Sequence, residues 1–151
     1  MDANLEKFKE LMDVLQIHDI LLVHIESDSF EKAPANASKI KIEYKLQYIG
    51  DMIINTEEKI VSYQVKALIN LYDTTEIDKD ECPIMKIVLG YILSFSCVDI
   101  SRCTTLLSDE TVKDLFIKVQ IPKTLWPFLR QQYYDLANRH SLHVPPLPWI
   151  K

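Results

Sequence analysis

The sequence predicts an α+β domain in which four antiparallel strands come first and helices follow. Three observations carry this. Between residues 39 and 48 the side chains alternate without a break, with Ile40, Ile42, Tyr44, Leu46 and Tyr48 on one face and Lys39, Lys41, Glu43, Lys45 and Gln47 on the other; that is the period of a strand with one wet face. A second run over residues 60–72 places Val61, Tyr63, Val65, Ala67, Ile69 and Leu71 on its apolar side. No helical periodicity separates the strand runs, so short connections make them antiparallel neighbours.

The elements follow in order. Leu5, Phe8, Leu11, Met12 and Leu15 recur at three and four, opposite Glu6, Lys7, Lys9, Glu10 and Asp13, which predicts a helix over residues 4–16. Residues 1–19 then form an N-terminal helical extension to a domain spanning 20–151. The run from Ile20 to Ile25 favours a first strand, ended by a loop over 32–38 that contains Pro34 and Asn36. Residues 73–83 read as an acidic turn. Residues 84–95 are rich in β-branched and aromatic side chains, as in a strand buried on much of both faces. Ser108 is placed to cap a short helix, with Asp109 and Glu110 in its first turn, ending before Pro122. Thr124 caps another, with Pro127 in the first turn and Leu125, Phe128, Leu129, Tyr133 and Leu136 as its stripe. The tail over 143–151 is apolar and extended.

Composition narrows the function. In 151 residues, 48% hydrophobic and 26% charged, there is material for one folded domain. Gly50 and Gly90 are the only glycines, which argues against the glycine-rich phosphate cradles of nucleotide-binding folds. A net charge of −5 offers no footprint for nucleic acid and no attraction to an anionic membrane. Three cysteines, an opening Met1-Asp2-Ala3-Asn4 without the pattern of a secretory leader, and no long apolar run lead to the expectation of a reducing, cytoplasmic address.

No catalytic constellation emerges. His140 and His143 sit three apart but have only Asp135 near them in sequence, short of a metal site. Cys97 and Cys103 lack zinc spacing and read as structural thiols. The acids Glu26, Asp28 and Glu31, and a second set of Asp78, Asp80 and Glu81, have the look of surface loops. The expectation is a non-enzyme without metal or cofactor. More telling is the apolar surplus of the last 26 residues, where Trp126, Tyr133, Tyr134, Leu142, Val144, Leu147, Trp149 and Ile150 gather. Subunits, a client, or packing of the tail on its own core would each cover it.

These residues resemble, in order, the SecB family of bacterial protein-export chaperones. Ser29-Phe30-Glu31 followed by Ala33-Pro34 is similar to the family's opening signature. Two long strands follow, then a strand with glycine at its middle and Ser-Phe near its end, Val88-Leu89-Gly90-Tyr91-Ile92-Leu93-Ser94-Phe95. Ile121-Pro122 precedes Leu125-Trp126-Pro127-Phe128, which resembles Leu-Phe-Pro-Tyr of the family, and Arg139 and residues 144–148 resemble its helix end and apolar loop. The resemblance spans about residues 20–150. It implies a four-stranded antiparallel sheet with helices packed on one face, the extra N-terminal helix being an addition. It also implies a homo-oligomer, dimer or tetramer, that holds unfolded polypeptides in apolar grooves without ATP. On that basis Tyr44, Leu46, Tyr48, Trp126, Leu142, Val144, Leu147, Trp149 and Ile150 are the expected client-binding residues. Glu26, Asp28 and Glu31 are the expected partner-docking acids.

Two departures point away from general export. Lys86 stands where the family carries a second acid, and the chain closes at Lys151 without the family's last helix and polar tail. A SecB-like branch dedicated to antitoxins fits better, so an antitoxin is the expected client, with protein transport as the alternative. A small α+β ligand-binding domain or enzyme, and a subunit that packs on one fixed partner, are the readings of other classes.

Overall fold

The computed structural model describes residues 3–29, 40–73 and 83–140. The element order is α1 (Ala3–Val14), β1 (Leu15–Ser29), β2 (Ile40–Asn55), β3 (Ile60–Asp73), β4 (Met85–Cys97), α2 (Ile100–Leu107), α3 (Glu110–Leu115), a π-helical turn (Phe116–Gln120) and α4 (Ile121–Arg139). The strands form one four-stranded antiparallel sheet in the order β1-β4-β3-β2, as the sequence predicts. The loop over 32–38, most of the acidic turn and the apolar tail lie outside the described residues.

The chain divides into two compact units through which the strands pass. One holds Met1–Leu21, Tyr48–Val65 and Tyr91–Leu125, the other Leu22–Gln47, Lys66–Gly90 and Trp126–Lys151. In the first, Val61, Tyr63 and Val65 of β3 and Tyr91, Leu93 and Phe95 of β4 are buried with Leu106, Val112, Phe116 and Leu125 of the helices. Phe95 and Phe116 meet edge to face with ring centres 5.2 Å apart. In the second, Ala67, Ile69 and Leu71 of β3 and Ile87, Val88 and Leu89 of β4 are buried with Leu129, Tyr133 and Leu136 of α4. Every apolar position expected on β3 is buried, and β4 is buried on both faces from Ile87 to Tyr91.

Several boundaries differ from expectation, each for a physical reason. The first helix stops at Val14 and β1 begins at once, so Leu15–Asp19 are strand rather than helical extension. Leu15, Ile17, Leu21, Val23 and Ile25 alternate along one face of β1; Asp19 and the apolar even-numbered Ile20 and Leu22 blur that pattern in the sequence. β2 continues past Tyr48 through Gly50, whose φ of +68° suits glycine. Its hairpin to β3 is built by Asn55, whose side-chain oxygen accepts from the backbone N–H groups of Glu57 and Glu58, both at 3.1 Å.

An unexpected helix, α2, is capped by Asp99, whose carboxylate accepts from the Arg102 N–H at 3.1 Å. Ser108 ends α2 rather than capping α3; that role falls to Asp109, which accepts from Thr111 N–H at 3.0 Å. The expected break before Pro122 and cap at Thr124 do not form. Instead α3 runs through the π turn into α4. The π turn resolves the conflict. Ile121 donates its N–H to Phe116, five residues back. Ile117 is thereby left without a helical donor, because its own fifth residue on is Pro122, which has no N–H. The Tyr48 hydroxyl of β2 donates to that carbonyl at 2.7 Å.

The first helix is fastened to α2 and α3. Arg102 donates to both carboxylate oxygens of Glu10, at 2.6 and 2.8 Å, and Lys7 pairs with Asp109 at 3.1 Å. Leu11 is fully buried beneath it, and Val98 donates its N–H to the Val14 carbonyl at 3.1 Å.

Candidate functional site

Apolar surface left open on β2 marks the candidate site. On β3 the apolar face is sealed. On β2 the corresponding face, Ile40 to Tyr48, is sealed only at Ile40; Ile42, Leu46 and Tyr48 are half-buried, and Tyr44 is 46% exposed. A strand side chain of that size left open beside a helix is an unfinished core.

In the second unit the Tyr44 ring stands 5.0 Å from that of Trp126, tilted by 58°. Trp126 itself is 2% exposed, so it backs the surface and Tyr44 presents it. Trp126 sits where α4 carries Pro127, which removes one backbone donor from the helix interior. The next residue, Phe128, is again about half exposed. β2 and α4 thus bring one aromatic side chain each, Tyr44 and Trp126, into contact, while Phe128, two residues on, turns to another side of the helix. Such an arrangement presents an apolar aromatic surface.

Of the other expected client-binding residues, Tyr48 belongs to the first unit and acts locally as described, bonding Ile117 and standing edge-on to Tyr63 at 6.0 Å. Burial pushes its phenol above the ordinary tyrosine range. Leu142, Val144, Leu147, Trp149 and Ile150 lie outside the described residues. Among the expected docking acids, Glu26 is exposed and pairs with His24 at 3.0 Å, Asp28 is exposed, and Glu31 lies outside the described residues.

The described cysteines and histidines are placed as follows. Burial pushes the Cys97 thiol up, and the Cys103 thiol up to about 12, away from the thiolate a nucleophile needs. The two are buried neighbours joined by a thiol hydrogen bond. Among the described residues no three His, Cys, Asp or Glu side chains gather as a metal site would require. His140 faces Ser27, with Nε2 and Oγ 3.0 Å apart. No helix of the described residues is long and apolar enough to cross a membrane.

Sequence reasoning missed one feature. In the first unit Met12, Leu15, Ile17, Phe95, Phe116 and Gln120 line a half-open cavity of about 190 Å³. Its walls come from α1, β1, β4 and the π turn, and only the π turn's geometry, invisible in the sequence, brings Phe116 and Gln120 to it.

No protein-family model matches the chain, and no curated protein matches its sequence. Among solved structures the fold is similar to that of a SecB-like chaperone from Mycobacterium tuberculosis, in complex with a ChAD peptide from the HigA1 antitoxin. The TM-score is 0.71 at 13% identity, covering 99% of this chain and 100% of the other.

Proposed function

We propose that this chain, having the SecB-like fold, is an ATP-independent holdase that binds an aggregation-prone polypeptide, and that its native client is an antitoxin. The observation that supports this most is the unfinished apolar face of β2, where Tyr44 lies open against a buried Trp126. An unfolded client that covers such a face gains about 25 cal/mol per Å² of apolar area removed from water. It needs no nucleotide for that, and release follows when the client folds or meets its own partner.

The fold's likeness to a chaperone solved with an antitoxin peptide supports the choice of client. Glu26 and Asp28, exposed on β1, are the surface for a docking partner. The chain acts in the cytoplasm as a dimer or tetramer. β1 is a sheet edge, and in the second unit its Val23 and Ile25 are about half exposed, an apolar edge that a further copy would cover.

The test is binding of a fluorescently labelled, reduced and unfolded polypeptide to the wild type and to Tyr44→Asp and Leu46→Asp. Tyr44 is about half exposed and Leu46 partly so, and each variant is expected to fold and to bind tenfold or more weakly. Unchanged affinity in both folded variants would remove the β2 face from the binding surface. The tail residues Leu142, Val144, Leu147, Trp149 and Ile150 are assigned the same role, and Trp149→Asp tests them in the same assay.

A further inference from the structure

We infer that β2 selects its client by charge as well as by apolar area. Its outward lysines, Lys41 and Lys45, favour an extended segment in which two acidic side chains stand four residues apart with apolar residues between them; the inference rests on the holdase reading. β2 closes the sheet order at the end opposite β1 and is bonded to β3 alone among the described strands. It is therefore the edge that remains when a second copy covers β1. An edge strand offers a row of backbone donors and acceptors to an extended chain.

Pairing decides which side chains meet. Successive residues of an added strand point to opposite faces of the sheet, and each lies beside its cross-strand neighbour. In the second unit the inward side chains of β2 include Ile42, Tyr44 and Leu46, all partly open, with Tyr44 46% exposed. The outward ones, Lys41, Glu43 and Lys45, are exposed. Every second residue of the added segment meets apolar surface, and the residues between meet charge.

The three charges are not equivalent. Lys41 and Glu43 are already paired at 3.1 Å, whereas Lys45 makes no ion pair among the described residues. An acid beside Lys45 gains an opposite-charge neighbour, a second beside Lys41 gains less, and one beside Glu43 is repelled. The favoured pattern is acid, apolar, neutral, apolar, acid. It reads the same in both chain directions, so parallel and antiparallel addition demand the same segment. The surroundings reinforce the choice. Lys66 on β3 turns to the outward face, since Val65 and Ala67 on either side of it are buried. The outward residues of β3 after it, Leu68, Asn70 and Tyr72, include no acid. Glu26 and Asp28 belong to β1, three strands from β2 in the sheet order. That is roughly 14 Å, beyond the screening length of about 8 Å at physiological salt.

The experiment uses the full chain and labelled, unstructured Gly/Ser-rich peptides that differ only at their centre: Glu-Val-Ser-Val-Glu, Lys-Val-Ser-Val-Lys or Ser-Val-Glu-Val-Ser. Affinity is read by fluorescence anisotropy at physiological salt. The first peptide is expected to bind at least about fivefold more tightly than either of the others. Lys45→Glu should reverse the order of the first two, while Lys86→Glu, on β4, should leave it in place. Methylating alternate backbone nitrogens of the first peptide should abolish binding in one of the two phases, the one whose N–H groups face β2. Equal affinity of the three peptides, an absence of binding included, would overturn the proposal. So would a preference for Glu that survives Lys45→Glu, or both methylated forms binding as tightly as the parent. The holdase reading is judged separately, by suppression of aggregation of a full-length unfolded protein; a chain that suppresses aggregation without the peptide preference keeps that reading and loses this one.

Discussion

Two tyrosines place the same hydroxyl in opposite circumstances. Tyr48 donates at 2.7 Å to a carbonyl that Pro122 leaves without a helical partner. Tyr48→Phe should therefore lower stability by about 1 kcal/mol or somewhat more, since it strands a half-buried acceptor. The Tyr91 hydroxyl is buried with no hydrogen-bond partner among the described residues, and burial drives its phenol above the ordinary range. Tyr91→Phe should be neutral or slightly stabilising. Urea unfolding of the two variants decides the matter, and a larger loss for Tyr91→Phe would contradict the assignment. Gly90 is a third decisive residue. A Cβ there would sit 3.0 Å from the His24 Cβ, which cannot swing away as a side-chain tip can. Gly90→Ala should destabilise by roughly 1–3 kcal/mol, as other overpacking changes do. Alternation made Tyr48 legible as an inward residue, but not its bond, which depends on a π turn that no periodicity announces.

At the scale of elements, the strands were readable because β3 and the first half of β2 alternate strictly and nothing else competes. The helix ends were not. Asp99 and Asp109 both make caps, while Ser108 between them turned out to close the helix before it. Which of several capping residues is used depends on the packing of Leu106, Leu107 and Val112, all buried. The first helix offers a pH test. The hydrogen bonds from Arg102 and Lys7 hold the carboxyls of Glu10 and Asp109 below their ordinary values. A carboxyl depressed in the folded state stabilises fully above its unfolded pKa, near 4, and that contribution is lost as pH falls through the lower folded value. The thermal midpoint should accordingly be flat from pH 8 to 5 and fall below about pH 4. Replacing Glu10 and Asp109 by Gln and Asn should make that fall shallower. A fall of the same steepness in that variant would show that the clamp contributes nothing. Removing the buried anchor by Leu11→Ala should cost about 2–5 kcal/mol.

For the whole molecule, the open aromatic surface was only partly legible. Tyr44, Leu46 and Trp126 could be named because a strand face and a helix start both presented apolar residues. That Trp126 would be sealed and Tyr44 left open follows from tertiary packing. The cavity beside the π turn drew residues from four elements and could not be named at all. A chain with this much uncovered apolar surface should not remain a monomer, and sedimentation is expected to give a dimer or tetramer whose weight drops in Ile25→Asp. A monomer with the same surface would count against assembly through β1. The measurement that bears most directly on the central claim is light scattering as a chemically unfolded protein is diluted into buffer with this chain and no ATP. If the proposed antitoxin client is used, scattering should be suppressed near a stoichiometric ratio, and Tyr44→Asp should restore it. A folded, oligomeric protein that leaves the scattering of that client unchanged would contradict the holdase account.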